Sequence, residues 1–501
     1  MLLSFEKSQQ GHSTNFLPQT PEDWASSPLP EHLLRKEKPR LPELSETELS
    51  RHYSELEEQT FGINKGFYPL GSCTMKYNPK VNNKIAGDPS FSQLHPTQRE
   101  EDVQGALAAY ELLDLYLREI TGMDKFSFSP MAGAQGEFTS LLAFRAYHKS
   151  KGEGHRNEIL IPDSAHGTNP ASATMAGYKT IGVKTDENGC IDLDSLKDKL
   201  NENTAGLMLT NPNTLGIFDT NISEITQLVH EAGGLNFYDG ANLNAVLGLS
   251  RPGDMGFDMV HLNLHKSFST PHGGGGPGSG PVGCKDFLRP FLPENLTTTG
   301  EDDHVDPADL IQEVYDDSLS TVHWTNPDHT LGRVGTFNGN FLVSLRALAY
   351  VLRLGKEGIP AVAHHAVLNA NYMQASLIDI LPPAFDRICM HEFVVSCSKL
   401  KKETGCSAKD FAKLLQDYGM HPPTMYFPLN VEEALMIEPT ETEGKARLDD
   451  AIAAFREVYE TAYSDPDKLL NAPHKQAITR PDEATAARHP IVKYDFAEET
   501  E

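Results

Sequence analysis

The sequence predicts an α/β protein: a mainly parallel sheet with helices on both faces, followed by a smaller C-terminal α+β domain. Three observations carry this expectation. From about residue 124 to 285, short apolar runs alternate with amphipathic stretches, and strands alternating with helices pack as a parallel sheet between helical layers. After about residue 350 the pattern changes to longer helical spacing around a strand. At 501 residues the chain also exceeds a single simple core, so two or three units of ~150 residues each are expected.

Along the chain, residues 14 to 45 mix prolines and charges without periodicity. Proline's fixed φ excludes it from helix interiors, so residues 1–60 are expected to form an extended arm, laid across a partner. Leu107, Tyr110, Leu113 and Leu117 fall on one helical face over 102–120, giving a segment at 61–123 that carries a motif loop and a helix. A large domain at 124–350 follows. In it, Glu158 to Ile161, Thr180 to Val183, Gly206 to Leu209 and Leu235 to Tyr238 are the expected buried strands, with helices at 170–177, 192–200 and 222–232. Phe341 to Leu354 and Ala361 to Ile380 have helical spacing, Met390 to Cys397 that of a strand, and Ser407 to Asp410 forms a capping box that opens another helix. The small domain occupies 351–471, and residues 472–501 return to proline and charge as a tail.

Charge and composition exclude several functions. Seventy acidic against 43 basic side chains give a net charge of -27, which opposes binding to a nucleic-acid backbone or an anionic membrane. No apolar run approaches the ~20 residues of a membrane span. Six cysteines are scattered without a C-x-x-C pair, so neither a zinc site nor a disulfide framework is expected, and no metal site is assigned. The N-terminus lacks the apolar stretch of a secretory signal, so the cytoplasm is the expected compartment.

The densest chemical signal is Asn263-Leu264-His265-Lys266-Ser267-Phe268-Ser269-Thr270-Pro271-His272, followed by Gly273 to Gly276. In a P-loop the glycines precede the lysine. Here they follow it, so nucleotide binding is not expected. A lysine at a strand end beside a glycine-rich turn, where bulky side chains would obstruct a flat ring, suits instead the Schiff-base lysine of pyridoxal phosphate. Such a site needs an acid that keeps the pyridine nitrogen protonated, and Asp239 ends an expected strand. An opposite charge at contact raises that nitrogen's pKa by roughly 1 to 3 pH units. A phosphate cradle is also needed. Ser129 to Glu137 leads into a helix whose first N–H groups face an anion, with Ala134 and Gln135 as the phosphate candidates. His166, after the first strand, is the candidate for covering the ring. Each residue alone has an ordinary reading as a cap, a loop or a solvated histidine; their shared position at strand ends joins them into one site.

These residues, with Gly66 to Pro79, Gly133 to Glu137, Ala165 to Pro170, Asp239 to Asn242, Leu264 to Lys266, Gly332 to Val334 and Arg480 to Arg488, resemble the P protein family of the glycine cleavage system, from about residue 60 to 490. The family is a group of pyridoxal phosphate enzymes of fold type I, the aspartate aminotransferase-like fold. The resemblance implies glycine as substrate, decarboxylation with transfer of the aminomethyl group to the lipoyl arm of the H protein, and covalent attachment of the cofactor to Lys266. It adds His265 and Asn242 to the cofactor-binding set. The match is to subunit 2 of the two-chain form, which implies an α2β2 assembly with a separately encoded subunit 1. Gly71 to Tyr77, with Cys73 and Thr74, is small and polar, as suits the wall of a passage for a lipoyl arm; a structural loop weighs equally. Arg333 is weighed as a holder of the glycine carboxylate against a structural salt bridge, which is favoured. The rival readings are a stand-alone pyridoxal phosphate decarboxylase or aminotransferase, because His-Lys also occurs there, and a non-catalytic scaffold.

Overall fold

The computed structural model describes residues 2–12, 29–37, 39–272, 278–298 and 322–496. The glycines at 273–276 and, of the proline-rich stretch at 14–45, residues 14–28 and Lys38 lie outside the described residues. The chain divides into two compact units, Met1–Gly62 with Lys475–Glu501, and Ile63–His474.

The larger unit is built on seven strands: β1 (Lys125–Ser127), β2 (Glu158–Pro162), β3 (Lys179–Val183), β4 (Thr204–Leu209), β5 (Leu235–Gly240), β6 (Met259–Leu262) and β7 (Val282–Cys284). Their order is β1-β7-β6-β5-β4-β2-β3. Strands β2 to β6 run parallel, and β7 is antiparallel to both of its neighbours. Successive strand side chains point to opposite faces, and two cores follow from that period. Leu160, Leu207, Tyr238 and Val260 pack on one face with Leu107, Leu113 and Leu117 of the Gln104–Thr121 helix and with Ile222, Ile225 and Val229. Ile159, Ile161, Met208, Phe237 and Met259 pack on the other with Leu141, Phe144 and Ala173 from the Gly133–Ser150 and Thr168–Met175 helices. Burying both faces explains why these strands are near-continuous apolar runs.

Phe341–Leu377 is one long helical element broken at Gly355, whose φ of 61° and ψ of -167° are not helical. The two helices read from sequence therefore meet at this glycine. Beyond it an antiparallel sheet of β10 (Phe393–Ser396), β12 (Ala434–Ile437) and β11 (Thr424–Met425), in that order, packs against Ala408–Leu415 and Lys445–Ser464. The hairpin β8 (Asn295–Thr298) and β9 (Val322–Thr325) completes the strands of the described residues. The loop at 67–71 lies on the small sheet: Leu70 bridges Ile437, and Glu438 N–H donates to the Pro69 carbonyl at 3.3 Å.

The smaller unit corrects the expectation of an extended arm over 1–60. Glu46–Gln59 is an α-helix, opened by a capping box in which Ser45 and Glu48 satisfy each other's backbone N–H groups. The prolines end at Pro42, so nothing in the following run blocks a helix. Lys7 pairs with Glu55 at 2.7 Å, and Phe5 stacks on Tyr494 at 4.8 Å between ring centroids. The tail also contains a short helix, Glu483–Arg488.

Candidate active site

The carboxyl ends of β2, β4 and β5 and the turn after β6 open into one cleft, where ligands of open α/β sheets gather. Its walls include Ala134, Glu137, His166, Asp239, Asn242, Asn263 and Lys266, and His391 and Glu392 close it from the small domain. Lys266 sits in the turn after β6, its own N–H donating to the Asn263 carbonyl at 2.9 Å. Its Nζ donates to the Ser72 carbonyl at 2.5 Å.

Asp239 follows Phe237 on one face of β5, the face covered by the Gly133–Ser150 helix. Its Oδ2 accepts from Asn169 Nδ2 at 2.8 Å, its Oδ1 from Ala241 N–H at 3.1 Å, and His261, its partner across β6, stands at 3.5 Å. Burial alone would push this carboxyl up. The His261 ring, these two donors and Lys266 outweigh it and hold Asp239 below its ordinary value, ionised at the floor of the cleft. Beside it, Glu137 is pushed up to about 7 by burial and then by the charge of Asp239, while it accepts from Thr168 at 2.7 Å and Ser172 at 2.8 Å. His166 Nδ1 lies 2.8 Å from the Thr168 hydroxyl, and burial pushes its ring down toward the neutral form.

These groups fit pyridoxal phosphate. The amine of Lys266 and the ionised carboxylate of Asp239 face one cleft. The Gly133–Ser150 helix starts there without a side-chain cap, which leaves its first N–H groups for an anion. A Cβ on Gly133 would collide with Asn263 Oδ1, an atom that is itself buried without a hydrogen-bond partner.

The motif loop is held against Lys266 from behind. Ser72 (φ 66°) and Thr74 (φ 35°) adopt left-handed backbone, uncommon outside glycine. Two buried carboxylates of the small domain secure the turn. Ser72 N–H donates to Glu392 Oε2 at 2.8 Å, and Thr74 donates to Glu438 through its N–H at 3.2 Å and its hydroxyl at 2.8 Å. Burial, then the charge of Glu438, pushes the Glu392 carboxyl up toward its protonated form. Both buried carboxyl clusters, Glu137 with Asp239 and His261, and His391 with Glu392 and Glu438, bring ligand-type atoms within 4.8 Å of one another. Their oxygens already accept from Thr168, Ser172, Asn169, Ser72, Thr74 and Asn242, which describes hydrogen-bonded networks.

Lys76 adds a buried cation to this framework. Its Nζ pairs with Glu441 at 2.7 Å and donates to the Ser267 carbonyl at 2.8 Å, next to Lys266, and to Tyr350 at 3.2 Å. It ties the motif loop, the lysine turn and the small domain together. Removing one partner of a buried pair leaves the other charge uncompensated, at about 3 to 5 kcal/mol. Lys76→Met is therefore expected to lower the urea unfolding midpoint sharply. A second change, Glu441→Gln, is expected to restore part of that loss; a midpoint unchanged in the single variant would contradict this role.

The cleft brings together Lys266, Asp239, His166, Ala134 and Asn242, and the side chains of five other candidates from the sequence fall elsewhere. The Gln135 side chain does not line it, because its Oε1 accepts from Met131 N–H at 2.8 Å and its amide donates to the Val334 carbonyl. His265 points away, its Nδ1 accepting from Ser279 N–H at 3.4 Å and its ring against His272. Thr74 is 1% exposed with its hydroxyl spent on Glu438, so it walls no passage. Cys73 is partly buried and also off the cleft; burial pushes its thiol up against the pull of Lys266. Arg333 is exposed, does not line the cleft and makes no ion pair among the described residues.

Sequence reasoning missed Glu137, Asn169, His391, Glu392 and Glu438. Glu137 and Asn169 stand inside motifs already singled out, but as neighbours of the assigned residues. The signal that selected Asp239, an acid ending an apolar run, also marks Glu438 after Ala434 to Ile437.

Two family models match the chain: Glycine dehydrogenase, C-terminal domain, over residues 362–474, and Aminotransferase class-V over residues 139–275. A relative from Staphylococcus haemolyticus named "Probable glycine dehydrogenase (decarboxylating) subunit 2" is 53% identical over 98% of this chain and 97% of its own length. A relative of the same name from Treponema denticola is 53% identical over 98% of both chains. Among solved structures, an inhibitor-bound glycine decarboxylase (P-protein) of the glycine cleavage system aligns with a TM-score of 0.67 at 21% identity, over 87% of this chain and 93% of that one. A sphingosine-1-phosphate lyase from Burkholderia pseudomallei aligns at 0.57 and 16%, over 87% and 95%. These structures share the fold.

Proposed function

Because the chain belongs to the glycine dehydrogenase (decarboxylating) subunit 2 family, we propose that it carries the pyridoxal phosphate site of a two-chain glycine decarboxylase. The substrates are glycine and the lipoyl arm of an H protein, and the partner is a separately encoded subunit 1 in an α2β2 assembly. The carbon–carbon bond of glycine breaks, carbon dioxide leaves, and the aminomethyl carbon bonds to one lipoyl sulfur. The lipoyl disulfide is reduced as the glycine carbon is oxidised. Pyridoxal phosphate, when bound, supplies the electron-withdrawing ring that accepts the electron pair of the broken bond.

The chain's own groups divide the work. Lys266 would hold the cofactor covalently through its amine. Asp239 would keep a proton on the ring nitrogen, Asn169 and Ala241 N–H orient that carboxylate, and His166 would cover the ring. The first N–H groups at Ala134 would hold the phosphate, and Asn242 steadies the cleft through its bond to Glu438 at 3.0 Å. The observation that carries the reading is the shared cleft of Lys266 and Asp239 in a chain half identical to subunit 2 relatives. Its six cysteines are all free thiols, which supports a reducing cytoplasm. No helix of the described residues is long and apolar enough to cross a membrane.

The test is exchange of labelled bicarbonate into the glycine carboxyl group. Co-expressed subunits with lipoylated H protein are expected to catalyse it, and omission of either partner to reduce it at least tenfold. Amine release from a larger amino acid without lipoyl protein would contradict the reading.

A further inference from the structure

An α-carboxylate entering the cleft meets no arginine, because none stands among the described residues that line it. Four acids surround the space: Glu137, Asp239 and Glu392 on its wall, and Glu438 immediately behind. An anion therefore needs a recess that offers donors without repulsion. The segment before β10 provides one. His391 is 2% exposed, lines the cleft, and both of its ring nitrogens lack a hydrogen-bond partner. Its Nε2 stands 3.7 Å from Glu392 Oε1, beyond hydrogen-bond range.

A buried imidazole with neither nitrogen engaged is costly to keep, and the fold supports this one on purpose-built contacts. Gly216, at φ +75°, lets the loop after β4 approach so closely that a Cβ there would collide with the Glu392 carbonyl oxygen. Met390 N–H donates to the Gly216 carbonyl at 2.7 Å. Burial pushes the His391 ring down to about 3, so it is neutral and carries one N–H donor. Burial and the neighbouring Glu438 push the Glu392 carboxyl up, away from the charged form that would repel an anion.

We propose that His391, with Glu392 beside it, receives the substrate carboxylate, in the place an arginine would otherwise occupy. This rests on the reading of glycine as substrate. An N–H donor to a carboxylate in a water-poor recess is worth on the order of 10- to 100-fold in affinity. Only amines that carry a carboxylate gain from it.

The experiment compares glycine with methylamine, the same amine without its carboxylate. Each is titrated into the cofactor-loaded assembly, and its dissociation constant is read from the visible absorbance of the cofactor. His391→Leu is expected to weaken glycine at least tenfold and leave methylamine within about twofold. His391→Gln, which keeps an N–H donor, is expected to recover most of the glycine affinity. Equal weakening of both amines, or an unchanged glycine constant in His391→Leu, would overturn the proposal. A wild-type protein that responds to methylamine but not to glycine would sink the substrate reading itself, which separates the two failures.

Discussion

Lys266→Ala abolishes glycine-dependent bicarbonate exchange, by at least about 10³-fold, and the purified protein loses the visible absorbance of a covalently held cofactor. Lys266 Nζ is the amine that faces the cleft holding Asp239, and its loop is fixed by the Asn263 carbonyl, which accepts from Lys266 N–H, by Ser279 N–H donating to His265 Nδ1, and by the Ser72 carbonyl. Lys76, on the motif loop, is buried, pairs with Glu441 and donates to the Ser267 carbonyl, and it does not line the cleft. Lys266→Arg keeps the positive charge but not a nucleophilic amine. The same loss is therefore expected of it, and activity above a tenth of wild type in either variant would contradict the assignment.

Asp239→Asn lowers exchange by roughly 10- to 1000-fold, the equivalent of the 1 to 3 pH units an adjacent carboxylate adds to the ring nitrogen. The variant keeps the shape and an acceptor for Ala241 N–H, so folding and cofactor retention are expected to persist. What disappears is the negative charge that His261, Asn169 and Lys266 hold ionised against burial. Glu137 does not replace it, because its own carboxyl is pushed up to about 7 and is tied to Thr168 and Ser172. Steady-state exchange, with cofactor content measured by absorbance, checks this; a rate within threefold of wild type would refute it.

The large sheet was legible because β2, β4 and β5 bury both faces and so read as largely apolar runs; β3, also expected as a buried strand, stands at the sheet edge with only Val183 buried. The Glu46–Gln59 helix was less so, since its strongest marks, the Ser45 and Glu48 box and the end of the prolines, follow directly on a stretch that argues for extension. Within the site, Lys266 and Asp239 were readable from order along the chain, because strand ends of a parallel sheet converge. Glu392, Glu438 and His391 were not. They come from a second sheet whose placement over the cleft depends on the Leu70 to Ile437 bridge and the approach at Gly216, contacts between residues hundreds of positions apart. The same distance explains Thr74: its small polar character suggested a passage wall, whereas it serves as a donor to a carboxylate that sequence alone cannot bring near.

The most direct measurement is borohydride reduction of the freshly purified assembly, followed by proteolysis and mass spectrometry of the lysine peptides. The account predicts the pyridoxyl mass on the peptide containing Lys266. The label on Lys76, on Lys285 or on no lysine of this chain would contradict it.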